Sequence, residues 1–168
     1  MKKNGGFTMV ETLFYLAFMV ILLGVVIALV ISLTKTYQTI QATKNLESSA
    51  IFSLERISRD IRNASSVNVA QSTLATSTGA LTLNTTDVSG NPQTIKFYLS
   101  NNRISVDSSG SYVGPLTLNG VNVNNLEFRL STSTNSQAIK IILGLSSTVG
   151  TASTSRNFYT TIVLRGSY

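Results

Sequence analysis

The chain has 168 residues, 43% of them hydrophobic and only 12% charged, which suits one domain plus a membrane segment and is too short for two sizeable cores. Thirteen basic side chains stand against seven acidic ones, a formal net charge of +6, and no block of Lys and Arg forms a nucleic-acid stripe. Histidine and cysteine are both absent, which excludes an imidazole base, a thiolate nucleophile, a metal site built on either residue, and any disulfide.

Near the N-terminus, Gly5-Gly6-Phe7-Thr8-Met9-Val10-Glu11 leads into an uncharged, mostly apolar run over residues 12–33. About 20 such residues cross a bilayer as a helix, so the run predicts a membrane-spanning segment. Glu11 stands at its start, where a carboxylate costs on the order of 3 kcal/mol on insertion scales and marks a functional site that needs a partner. A secretory signal peptide has a core of only about 7–15 residues followed by a small-residue cleavage site, and no such pattern stands near Ala28 or Ser32. A plain signal anchor accounts for the length and for the basic Lys2 and Lys3. It does not account for Glu11 or its spacing from Gly6.

The basic leader ending in Gly6, then Phe7, Thr8, a glutamate five residues after the glycine and an aliphatic helix resemble the class III signal of type IV pilins and of type II secretion pseudopilins. The resemblance implies that a membrane-embedded prepilin peptidase cuts between Gly6 and Phe7 on the cytoplasmic side and methylates Phe7. It also implies that Glu11 pairs with the N-terminal amine of a neighbouring subunit, with Thr8 as a second assembly residue. The physics is consistent with that use: the cut creates an ammonium at Phe7, methylation keeps its charge, and both ions need a counter-charge inside packed helices. Loss of Lys2 and Lys3 would leave 11 basic side chains against 7 acidic ones. The absence of cysteine departs from the many Gram-negative pilins whose C-terminal region is closed by a disulfide.

Past Leu33 the helical pattern continues without Pro or Gly to Ala64. There Leu46, Ala50, Leu54, Ile57, Ile61 and Ala64 recur at steps of four and three, the spacing of one apolar face. One helix from about Phe7 to Asn63 is expected, roughly 85 Å long at about 1.5 Å per residue. Glu55 and Arg59 can pair at i, i+4. Gly24 leaves two readings open, a local loosening of the helix or a close helix contact. Arg56, Arg59 and Arg62 share a broad face, diluted by Glu55 and Asp60; a solvated surface explains them better than a DNA-binding stripe.

Beyond Ala64 the period becomes two. Leu81 and Leu83, then Ile95, Phe97 and Leu99, then Ile104 and Val106 each read as a half-buried strand, with turns at residues 89–92 and at Asn101-Asn102, an antiparallel meander. A second group of short strands is expected at residues 116–118, 121–123, 126–130, 139–143 and 158–164. The Ser/Thr-rich residues 131–137 and 146–155 read as exposed loops.

This order of signals predicts an α+β fold, a long N-terminal helix on an antiparallel sheet, which is also the pilin fold. The expected division is a leader over residues 1–6, a transmembrane and filament-core helix over 7–33, its amphipathic second half over 34–64, and a β-rich head over 65–168. Residues 54–64, 95–99 and 121–128 followed by the strand around Ile139 look, more loosely, like J-type minor pseudopilins and W-type minor pilins. The function so implied is that of a filament subunit, non-enzymatic and without cofactor or metal. It would be a single-pass membrane protein with its head outside the cytoplasm, then part of a cell-surface or periplasmic filament. Its implied partners are other pilin or pseudopilin subunits, the prepilin peptidase, an inner-membrane platform protein and a cytoplasmic assembly ATPase. Two other readings stand beside it: an adhesive or DNA-uptake pilin subunit, and a signal-anchored domain that never polymerises.

Overall fold

The computed structural model describes Gly6, residues 8–133 and residues 136–164. Lys2, Lys3, Phe7 and most of the expected leader lie outside the described residues. The chain forms one helix, α1 (Met9–Asn63), and eight strands, β1 (Ser66–Val67), β2 (Leu81–Thr86), β3 (Pro92–Ser100), β4 (Arg103–Ser108), β5 (Ser111–Pro115), β6 (Val121–Ser133), β7 (Ser136–Val149) and β8 (Ala152–Val163). A short 3-10 turn over Val69–Gln71 separates β1 from β2.

Thr8 caps α1 with an extended backbone and a hydroxyl that accepts from the Glu11 N–H at 3.3 Å, satisfying one of the donors a helix start leaves orphaned. The helix runs unbroken through Gly24 and ends where Ala64 turns extended, its N–H donating to the Ile61 carbonyl. An 18-residue window of α1 reaches a mean hydropathy of 3.1 with none of it buried. By length and composition α1 can cross a membrane. Burial begins at Ala42 and continues through Leu46, Ser49, Ala50, Ser53, Ile57, Asp60 and Ile61, the expected face, with Leu54 half-buried at its margin.

The strands form two antiparallel meanders, β1-β2-β3-β4-β5 and β6-β7-β8. The second half of α1 packs mainly on β7 and β8. A single core joins Leu46, Ile57 and Ile61 of the helix to Phe97 and Val106 of the first sheet and to Leu126, Phe128, Ile141 and Leu143 of the second. Each of these large side chains contributes about 1.5–3 kcal/mol by leaving water. The sheets also meet through the backbone, where the Val123 N–H donates to the Asn102 carbonyl at 2.8 Å. Asn101 and Asn102 both adopt positive φ, the two-residue turn expected between β3 and β4.

Several expectations are corrected. The Ser/Thr-rich residues 146–155 are strand on either side of a tight hairpin, with Ser147 opposite Thr154 and Ser146 opposite Ser155. Likewise β6 extends to Ser133 and β7 starts at Ser136, so most of residues 131–137 is strand; 134 and 135 lie outside the described residues. Ladder pairing uses backbone groups, and threonine suits a pleated surface, so polar composition does not forbid strands. Residues 121–123 and 126–130 belong to one strand with an irregularity between Val123 and Asn125. Residues 116–118 form no strand: the Leu118 N–H donates to Ser49 Oγ at 3.2 Å, and Ser53 Oγ donates to the Leu116 carbonyl at 3.4 Å. The Leu116 N–H still donates to the Ile104 carbonyl of β4 at 2.8 Å, and two helix serines take the backbone groups beyond it. Finally, Glu55 and Arg59 do not pair; the buried Asp60 instead draws Arg56 Nε to 2.8 Å and Arg59 Nε to 3.9 Å.

Candidate functional site

The N-terminal turn of α1 is built from local spacing. Thr8 and Glu11 stand three apart, the arrangement of a capping box, and the structure shows the forward half of that box in the Glu11 N–H to Thr8 Oγ1 hydrogen bond. Thr12 Oγ1 donates to the Met9 carbonyl at 2.8 Å. One turn on, the Tyr15 hydroxyl donates to Glu11 Oε1 at 3.4 Å. Tyr15 was missed from sequence, although its i, i+4 spacing from Glu11 was there to be read.

A neutral phenol 3.4 Å away is a hydrogen-bond partner and not a counter-charge. Among the described residues no cation lies within ion-pair distance of Glu11; the ion pairs there are Arg56–Asp60, Arg59–Asp60, Arg129–Glu127 and Arg156–Glu47. The carboxylate also sits on the first turn, where the partial positive charge of the helix end favours it. Gly6 is exposed, with open space where a side chain would begin.

From this turn onward the helix presents apolar side chains all round: Leu13, Phe14, Leu16, Phe18, Val20 and Ile21 are each more than half exposed, and the pattern persists to Leu33. A surface of this size and continuity is a site for lipid or for packed helices. Beyond it, Gln38 reaches the head, its Oε1 accepting from the Thr151 N–H at 3.3 Å and the Thr151 hydroxyl at 3.2 Å.

The basic triplet is split by its neighbours. Arg56 turns to Asp60, while Arg59 and Arg62 line an open groove of about 650 Å³ together with Ile51, Leu54 and Glu55. Among the described residues no group of three His, Cys, Asp or Glu side chains is placed to hold a metal ion. The architecture is a pilin-like α+β fold with a dominant apolar N-terminal helix. Compared with known proteins, the chain matches no family model, no curated protein and no solved structure.

Proposed function

We propose that the chain is a structural subunit of a type IV pilus or a related type II secretion-like filament, in the narrower sense a minor pilin or pseudopilin. Residues 1–6 are removed between Gly6 and Phe7, Phe7 is N-methylated, and residues 7–33 pass from the membrane into a filament core. Residues 34–64 then brace the β-rich head over residues 65–168. The partners in this reading are other subunits of the filament, a prepilin peptidase, a membrane platform protein and an assembly ATPase.

The observation that carries the reading is the conjunction of an apolar half-helix with none of its side chains buried, Glu11 in its first turn, and no cation beside that carboxylate among the described residues. An ammonium at the N-terminus of a neighbouring helix supplies the charge that Tyr15 does not. In a core of low dielectric that pairing sets the axial position of each entering subunit, since a carboxylate left without its cation there costs several kcal/mol. Thr8 holds the turn that presents Glu11.

The test is intact mass and N-terminal peptide analysis of the native protein, with Glu11→Ala alongside. The expected mature chain begins at methylated Phe7, and the variant is processed but does not enter filaments. A functional protein that retains residues 1–6 overturns the reading.

A further inference from the structure

The outer face of the five-stranded sheet carries a cleft unrelated to the helix. Alternation along β3 and β4 sends Phe97, Ile104 and Val106 into the core and turns Tyr98, Ser105 and Asp107 the other way. The register sets Tyr98 opposite Ser105, and Asp107 opposite Tyr112 of β5. Two aromatic rings thus stand on either side of a hydroxyl and a carboxylate. With Asn101 and Arg103 they line an open cleft of about 480 Å³, within the range of about 300–1,000 Å³ found for small-ligand sites.

The polar groups are held in place before any ligand arrives. Tyr98 donates its hydroxyl to Asp107 Oδ1 at 3.1 Å, which leaves the second carboxylate oxygen as an acceptor. Burial, then the Asp107 hydrogen bond and charge, push the Tyr98 phenol above its ordinary value. Arg103 is clamped through Nη1 to Asn119 Oδ1 at 2.9 Å and through Nη2 to the Thr117 carbonyl. Each terminal nitrogen carries two N–H groups and uses one of them here, so Arg103 keeps donors to spare, and its Nε is buried without a partner. Tyr112 is 63% exposed and offers its ring to solvent.

We infer that this cleft binds a pyranose saccharide, its ring C–H face against Tyr112 and its hydroxyls on Asp107 and the spare N–H groups of Arg103. Pyranose rings combine an apolar face with a rim of donors and acceptors, and an aromatic beside a carboxylate and a guanidinium matches both parts. A purely apolar ligand would cover the second Asp107 oxygen without giving it a partner. The inference stands independently of filament assembly.

The experiment uses the full chain in zwitterionic, sugar-free detergent micelles, titrated with cellotetraose, chitotetraose, maltotetraose and lactose. Binding is read from tyrosine fluorescence, which no tryptophan masks, and from amide NMR shifts on β3, β4 and β5. At least one of these sugars is expected to bind, with Tyr112→Ala and Asp107→Asn each weakening it about tenfold or more. Tyr112→Phe should retain most binding, and Tyr159→Ala, an exposed tyrosine on the other sheet, should leave it unchanged. Circular dichroism confirms that each variant is folded. Absence of a shift with all four sugars up to about 10 mM, or equal loss in Tyr159→Ala, overturns the inference.

Discussion

Gly150 lies directly against Gln38: a Cβ added to the glycine would fall 2.5 Å from Gln38 Nε2. Gly150 has φ of +58° at the tip of the β7–β8 hairpin, and the adjacent Thr151 donates two hydrogen bonds to the same glutamine. This contact seats the head a turn beyond the end of the apolar run. Gly150→Ala is expected to destabilise the full chain in micelles by about 1–2 kcal/mol, from the left-handed backbone and the displaced glutamine. Gln38→Ala alone should cost less than about 1 kcal/mol because the contact is exposed. In denaturant titrations the double variant should cost less than the sum, since removing Gln38 also removes the clash.

A second glycine guards a sheet edge. Loop residues Ala75 and Gly79 donate to the Phe128 and Leu126 carbonyls at 2.8 and 2.7 Å, and the Leu126 N–H donates to Ser77, so the outer edge of β6 is covered by backbone. A Cβ at Gly79 would meet the Leu126 carbonyl oxygen at 2.8 Å and Phe128 at 3.2 Å. Backbone cannot step aside as a side chain can. Gly79→Val is expected to cost about 2–3 kcal/mol and to raise concentration-dependent aggregation, read by light scattering during thermal unfolding.

Asp60 is 8% exposed, and Arg56 is its closest charged partner at 2.8 Å. Arg56→Ala should destabilise the head by about 1–3 kcal/mol, because it leaves a buried carboxylate with only the 3.9 Å contact to Arg59. Glu55→Ala, on the exposed side of the same turn, should stay within about 0.5 kcal/mol. Paired denaturation curves with unchanged slope check both.

Tyr98 should titrate above its ordinary value of 10.0. With the folded value raised, its contribution to stability is present below the unfolded value and is lost as pH rises through the folded one. Asp107→Asn removes the charge and should lower the Tyr98 value, yet leave it above ordinary because burial is the larger cause. Difference absorbance of the phenolate, compared with Tyr98→Phe, measures both shifts.

Much of the fold was legible where order is local. The end of α1 at Asn63, the buried face from Leu46 to Ile61, the Asn101-Asn102 turn and the β2-β3-β4 meander each follow from spacing within a few residues. What was misread depends on distant partners. Residues 116–118 carry strand composition, but Ser49 and Ser53, more than 60 residues earlier, take the Leu118 N–H and the Leu116 carbonyl. Arg56–Asp60 and Glu55–Arg59 are both i, i+4 pairs by spacing, and the structure forms the first, with Asp60 buried. At the candidate assembly site, Thr8 and Glu11 were read as residues, whereas Tyr15, at i, i+4 from Glu11, was equally legible by spacing and was passed over.

The sequence by itself determined that this protein has a long helix with an apolar first half, a lone carboxylate near its start, and a β-rich remainder, because helix periodicity and membrane-scale hydropathy are properties of neighbouring residues. That the Ser/Thr-rich stretches are paired strands, that Gln38 of the helix meets Thr151 of the head, and that Tyr98, Asp107 and Tyr112 share one cleft emerged from the folded arrangement alone. Those outcomes rest on strand register and on groups brought together from far along the chain, which local spacing does not encode.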